Sequence, residues 1–540
     1  MIAGGRRFTV SPFPAGYRAS GILLHITSLP SPFGIGDLGP SAFSWIDRLR
    51  DAGQSWWQIL PIGPAGHGGC PYLATSSFAL NELLISPERL LEDGLATPRD
   101  LISHAFNDGP IDFAAVALFK HQLLEASWKS FRANARPDLS PAFESFVQSE
   151  APWLDDYALY RSIAARYNGA RFHDWPTALV RRETSALAVA RDELRDQCDR
   201  VRFAQFLLFR QMADLRAHAQ AAGIRLIGDL PIFVSPDSCD VWANPEAFLL
   251  DADNRPAVLA GVPPGALGSD GQLWGSPHFD WSAQRKTGFC WWIDRAAAIL
   301  RHVDVVRLDH FRAFSAAWHV PAGSRNAQPG TWVPGPGPEL FHAVRKRLGA
   351  LPFIAEDVGL ITPDVVALRD RFQIPGMRML QFGFRGNPQD PSLAHAIAHN
   401  SVVYTGTHDN PPTRAWYDQL PAHERRVLWD YLHLPGGRSD EVAPALACLA
   451  WRSIAALAVI PVQDLLNLGP EARMNVPGTP DGNWRWRATS QMLTESLFAG
   501  VKLQTEHALR MPISRIPAPP DHPHRRPGQP PLRPAECPAR

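Results

Sequence analysis

One pattern recurs along this chain: a stretch with helical spacing of apolar residues, then a short apolar run that stops at a polar or acidic residue. The runs lie near positions 22, 56, 224, 304, 353, 378, 402 and 456 of the 540 residues. Short runs that are apolar at nearly every position have both faces covered, as parallel strands do. Eight of them, with helical pattern in seven of the intervals, predict an α/β fold of the (β/α)8 TIM barrel type, in which the loops after the strand C-termini share one rim. A doubly wound open sheet is the alternative, but neither a dinucleotide glycine fingerprint nor a P-loop follows any of the runs.

Taken in order, residues 1–20 read as an irregular arm and 21–66 as the first part of the barrel. Within the latter, a strand is expected at Ile22–Ile26, a helix capped by Ser41 with Phe43, Ile46 and Leu49 on one face, and a second strand at Trp56–Leu60. From 67 to 222 the rhythm changes to Gly- and Pro-rich loops and helical periodicity without a clear strand, predicting a large, mainly helical inserted subdomain. The barrel resumes over 223–505, interrupted between Ser235 and Ile293 by a Trp- and Gly-rich region too long for a simple connector and so read as functional loop. Any one of Trp242, Trp274, Trp291 and Trp292 there serves the core as readily as a ligand. After 506 the density of proline and the loss of apolar periodicity predict a disordered tail over 506–540.

Lys plus Arg equal Asp plus Glu at 53 each, which supplies no electrostatic attraction for nucleic acid or an acidic membrane and suits a neutral ligand. The six cysteines form no CxxC pair and have no histidine at zinc spacing, so neither a disulfide framework nor a metal finger is indicated and a reducing cytoplasm is expected. No apolar run reaches the ~18 residues of a membrane span, and no apolar stretch follows Arg6 and Arg7 as a signal peptide requires.

The most informative stretch is VDVVRLDHFRAF, residues 303–314. Side chains alternate across a strand, so Val305, Arg307 and Asp309 share one face while Val306 and Leu308 take the other. A strand-end aspartate taken alone is more often a helix cap or an ion-pair member than a catalyst. Here the pattern repeats, with Glu356 after FIA and Asp409 after VVYTGTH, and three carboxylates at three strand ends converge on one rim. Glycosidic cleavage needs such a set: an ionised carboxylate to attack the anomeric carbon and a protonated one to hand a proton to the departing oxygen. Arg307 on the face of Asp309 would hold it ionised, while burial and neighbouring carboxylates would keep Glu356 protonated, leaving Asp409 to bind sugar hydroxyls and stabilise the oxocarbenium-like transition state. A divalent-metal barrel is the competing enzyme reading, through Asp309–His310, Glu356–Asp357 and His408–Asp409; adjacent strand residues point oppositely, and no HxH or HExxH spacing occurs.

On these residues and on the motifs GILLHITSLPSPFGIGDLG, SWWQILPIGP, PYLATSSFA, GDLPIFV, GQLWGSP, VRLDHFRAF, FIAEDVG, GTHDN and NVPGTPDGNWRWR, the chain resembles the 4-alpha-glucanotransferases (amylomaltases, disproportionating enzymes) of the alpha-amylase clan over about residues 20–505. The resemblance implies Asp309 as nucleophile, Glu356 as acid/base and Asp409 as transition-state stabiliser. It further implies donor-sugar contacts by Arg307, His310, His408, Asp229, Tyr72 and Trp274, with alpha-1,4-glucans and maltooligosaccharides as substrates, a retaining double displacement, and neither metal nor organic cofactor. An alpha-glucan hydrolase, or a non-catalytic glucan-binding protein, is the alternative. The chain departs from the family pattern at PPGALGS, where PPDYFS is usual: Gly265, Ala266 and Leu267 stand for an acidic residue and two aromatics in the loop on the acceptor side. Less aromatic surface there predicts more hydrolysis beside transfer.

Overall fold

The computed structural model describes residues 11–102, 106–265 and 268–512. Its centre is a closed barrel of eight parallel strands. In chain order the twelve strands among the described residues are β1 (Ala19–Leu23), β2 (Trp56–Leu60), β3 (Arg225–Leu230), β4 (Val258–Val262), β5 (Gln272–Pro277), β6 (Val305–Leu308), β7 (Ala316–Pro321), β8 (Thr331–Pro334), β9 (Phe353–Ala355), β10 (Gly376–Met379), β11 (Ser401–Tyr404) and β12 (Leu457–Pro461). The barrel runs β1-β2-β3-β6-β9-β10-β11-β12 and closes on β1, each strand parallel to its neighbours. All eight expected runs are therefore barrel strands. The first sits earlier than expected: Ala19–Leu23 is the strand, and Ile26–Ser28 is already a 3-10 turn whose N-terminus His25 caps by accepting from the Thr27 N–H.

Alternation sorts the barrel side chains as a parallel sheet covered on both faces requires. Ile227, Val305, Ile354, Met377, Val402 and Val459 pack together in the lumen, while Leu226, Val306, Phe353, Val403 and Ala458 belong to the larger core under the helices. The N-terminal end of the lumen is plugged by the arm: Phe13 stacks on Tyr17 at 5.5 Å, and the Trp56 indole donates to the Tyr17 hydroxyl at 2.7 Å. Toward the C-terminal ends the lumen turns polar, with the Tyr404 hydroxyl donating to Gln58 and Asp229 facing Arg307 across the β3–β6 pairing.

The helix after β1 is Pro40–Asp51, with Pro40 at its first position and Gly39 rather than Ser41 as the cap. Its buried residues are Ala42, Trp45, Ile46 and Leu49; Phe43 is displaced to the edge, beneath Arg89 and beside His218. Between β2 and β3 the chain is helical, including Phe113–Arg132, Ser140–Arg166 and Arg195–Ala221. The last of these does two jobs. Its N-terminal half joins the inserted helices through an aromatic cluster in which Phe131 and Phe203 stack at 4.6 Å, and Gly223, at φ 75°, closes its end and turns the chain into β3.

Two expectations are corrected. The region 235–293 is not loop alone: β4 and β5 arise in it and join β7 and β8 in a four-stranded antiparallel sheet, order β5-β4-β7-β8, beside the barrel rim. Its strands are only partly buried and carry little alternation, so no local period announces them. The tail also begins later than 506, because Glu506 and His507 end the helix Glu495–His507 and Arg510 is fully buried. Residues 513–540 lie outside the described residues, as do 1–10 of the arm. No helix among the described residues is long and apolar enough to cross a membrane.

Candidate active site

Arg307 is the hub. The alternation of β6 points it into the lumen, where it is 1% exposed and meets three carboxylates: Asp229 at 2.6 Å and Asp309 at 3.1 Å through Nη1, and Glu356 at 2.8 Å through Nη2. These carboxylates come from the ends of β3, β6 and β9, neighbours in the barrel. Tyr72, on the loop after β2, donates its hydroxyl to Asp229 at 2.9 Å and stacks on His408 at 5.2 Å, which brings the β11 loop to the same place. His408 in turn adjoins Asp409, its Nε2 3.4 Å from the carboxylate. Trp274 of β5 meets the His310 ring edge-on at 4.9 Å, so the small sheet forms one wall. Asp309, Glu356, Asp409, Arg307, His310, His408, Asp229, Tyr72 and Trp274 thus occupy one rim.

A gradient of exposure separates their tasks. The Asp229 side chain is 0% exposed, Glu356 18%, Asp309 24% and Asp409 36%, so Asp229 is sealed behind the site while the other three face the cleft. Glu356 is fixed from the β6 side: the His310 N–H donates to its Oε2 at 2.5 Å, and its carbonyl accepts from the Phe311 N–H. His310 reaches it by adopting a left-handed conformation, φ 46° and ψ 52°, uncommon for a residue with a Cβ and the kind of strain that gathers at functional sites.

The electrostatics differ from the expectation that Arg307 holds Asp309 ionised. One guanidinium faces three carboxylates. Burial and then the charge of Glu356 push the Asp309 carboxyl well above its usual range despite Arg307, and burial pushes Asp229 up to about 6. The neighbouring imidazoles are neutral: burial lowers His310 to about 4 and also lowers His408.

Several residues here escaped the sequence reading. Asn475 donates its amide to Asp409 Oδ1 at 2.7 Å, and Arg473 donates to the Asp409 carbonyl at 3.1 Å. Both belong to the segment ending in NVPGTPDGNWRWR, which has no periodicity, so only its presence in a long motif marked it. Trp484 of that segment lies 5.5 Å from the His408 ring and 5.6 Å from Tyr72. Asp357 points away from Glu356 and is committed to Arg369, to Arg378 and to the Met377 N–H, which removes it from the metal reading. Of Trp242, Trp274, Trp291 and Trp292, Trp242 and Trp292 are core, Trp291 packs against Phe248 and Phe279, and Trp274 faces the site. Ala266 and Leu267 of the departing acceptor loop lie outside the described residues. A small cleft adjoins the site between residues 61–80, Asp229–Val234 and the helix Cys290–Leu300; it touches the cluster only through Tyr72 and Asp229 and lies beside the chemistry.

Comparison with known proteins agrees along nearly the whole chain. The family model for 4-alpha-glucanotransferase matches residues 24–493. A 4-alpha-glucanotransferase of Synechocystis sp. is 45% identical over 494 residues, covering 91% of this chain and 97% of its own, and one of Thermus thermophilus is 43% identical over 499 residues, covering 92% and 99%. The solved amylomaltase from Streptococcus agalactiae in complex with acarbose superposes with a TM-score of 0.88 at 34% identity, covering 92% of this chain and 100% of that one. The chain with this barrel and this rim of carboxylates belongs to the 4-alpha-glucanotransferase family.

Proposed function

We propose that Arg307 organises a double displacement on alpha-1,4-glucans in which Asp309 and Glu356 are the reacting pair. Asp309 attacks the anomeric carbon of a donor glucan as Glu356 protonates the departing glycosidic oxygen, leaving a glycosyl ester on Asp309 and a shortened glucan. Glu356, now ionised, takes the proton of the 4-hydroxyl of an acceptor, whose oxygen displaces Asp309 and restores the α-1,4 linkage. Asp409, fixed by Asn475, faces the sugar and offsets the positive charge of the oxocarbenium-like transition state. Asp229 and Tyr72 hold Arg307 from behind.

The observation that supports this most is the single buried guanidinium touching Asp229, Asp309 and Glu356 together. One cation then lies within reach of both proposed reacting carboxylates. The adjoining neutral histidines and Trp274 suit an uncharged, amphipathic sugar.

Incubation with maltotriose and separation of products by size tests the reaction. Transfer yields maltooligosaccharides longer than the substrate; glucose and maltose alone would mean hydrolysis. Asp309→Asn and Glu356→Gln should each fold and lose activity by at least ~10²-fold, the lower range for loss of general acid or covalent catalysis. A folded variant retaining more than about a tenth of wild-type activity would overturn its assignment.

A further inference from the structure

Arg312 is buried, 6% exposed, on the 3-10 turn Phe311–Phe314 that follows the nucleophile strand, yet it does not point into the barrel. Its Nη1 donates to the Leu360 carbonyl at 2.6 Å and to the Thr362 hydroxyl at 3.2 Å, and its guanidinium carbon lies 3.8 Å from the ring centroid of Trp332 on β8. One side chain therefore joins the loop after β6, the loop after β9 and the small sheet. The β9 loop is the one that begins with Glu356. Its first residues are held by Asp357 on Arg369, Arg378 and the Met377 N–H; past them Gly359 sits at φ 89° in open space, and the Leu360 side chain is 57% exposed. The two loops also meet at the chemistry itself, where the His310 N–H holds Glu356 Oε2 and the Phe311 N–H holds the Glu356 carbonyl. The Arg312 tie at Leu360 and Thr362 fixes the far part of the β9 loop, beyond Asp357, against the same turn.

We infer that Arg312 is a positioning residue for the acid/base: by clamping residues 360–362 to the turn after Asp309 and to Trp332, it sets the placement of Glu356 relative to the nucleophile. It touches neither substrate nor reacting atoms. A displacement of about 1 Å between reacting groups can cost on the order of 10²-fold in rate, which makes a remote clamp kinetically visible. The inference rests on Glu356 as the acid/base.

The test is Arg312→Met, which keeps length and apolar packing but removes the donors, beside Arg312→Lys, which can still reach the Leu360 carbonyl. In the folded Met variant kcat should fall roughly 10- to 100-fold with KM within about twofold, the pH–rate profile should move because the partners of Glu356 loosen, and the Lys variant should recover a substantial part of kcat. Wild-type kcat per folded molecule with an unmoved profile would overturn the inference, as would a loss seen only in KM. Should Arg312→Met not fold, Thr362→Val keeps the guanidinium and removes one acceptor; a fall of kcat of about threefold or more at constant KM supports the clamp, and an unchanged kcat rejects it. Glu356→Gln, assayed alongside, separates the two ideas: an active Glu356→Gln refutes the acid/base reading, whereas an inactive one beside an unaffected Arg312→Met and Thr362→Val refutes only the clamp.

Discussion

Asp229 is the residue whose role the rim geometry changes most. Its side chain is sealed from the cleft, and its Oδ2 accepts from both Arg307 and Tyr72, so it reaches the proposed reacting pair through the guanidinium it shares with Asp309 and Glu356. Its charge also helps to push the Asp309 carboxyl upward. In the proposed mechanism Asp309 must be ionised to attack, so activity on the acid side is lost as pH falls through a folded-state value lying above the ordinary carboxylate one. In Asp229→Asn a negative charge is removed and Arg307 turns more fully to the other two carboxylates; both changes ease ionisation of Asp309. The acid limb of kcat/KM should therefore move to lower pH, with a rate loss of about tenfold or more from looser orientation of Arg307. A pH–rate profile checks this, and an acid limb that stays in place or moves to higher pH would show that Asp229 does not act through the shared cation.

At the scale of elements, the tightest constraint is where β1 passes β2. Gly21 pairs with Trp56, and a Cβ there would lie 2.6 Å from Trp56 Cβ and 2.7 Å from its carbonyl oxygen. In an open sheet a strand could slide outward, but β1 is held on its other side by β12, so the added methyl has nowhere to go. Gly21→Ala should destabilise the fold by roughly 1–3 kcal/mol, the usual range for overpacking, visible as a lower thermal melting temperature. An unchanged melting temperature would mean that the closed barrel relaxes at this seam. The small sheet shows the opposite economy: half-buried strands from two separate connections pair antiparallel and thereby bring Trp274 to His310 and Trp332 to Arg312.

Across the whole molecule, stability and chemistry sit at opposite ends of the barrel, as the (β/α)8 architecture permits. At the N-terminal end Arg510 donates to the carbonyls of Ala19, Trp451, Ser453 and Ala455, tying the approach to the last strand to the start of the first. Burial among these neutral acceptors lowers its guanidinium to about 9. Arg18 also donates to the carbonyls of Trp451 and Ser453, and Ala19 keeps its ladder pairing with β12, so removal of Arg510 strands chiefly the carbonyl of Ala455. With about 1–3 kcal/mol for a buried acceptor left unsatisfied, Arg510→Met should cost on the order of 1–3 kcal/mol. Denaturant unfolding would measure that loss, and kcat per folded molecule should stay at the wild-type value; a variant as stable as wild type would refute the tie.

What the sequence by itself determined is what short-range physics encodes. Period-two alternation and burial are properties of a few adjacent residues, so the eight barrel strands were legible, and with them the inward face of Val305, Arg307 and Asp309 and the convergence of Glu356 and Asp409 on one rim. Long motifs extended that reading to Tyr72, His310, His408 and Trp274. Only the tertiary structure decided which groups share a partner. Asp229 and Arg307 lie 78 positions apart and Asp409 and Asn475 lie 66 apart, and each pair meets only because barrel closure sets strand register and loop path. The protonation pattern belongs to the same class: whether Arg307 serves one carboxylate or three depends on distances across strands, and no local pattern contains them. The small sheet and the burial of Arg510 escaped the sequence for that reason too, since half-exposed strands and a lone arginine near a Pro-rich tail carry no period, and their order comes from the surfaces they meet.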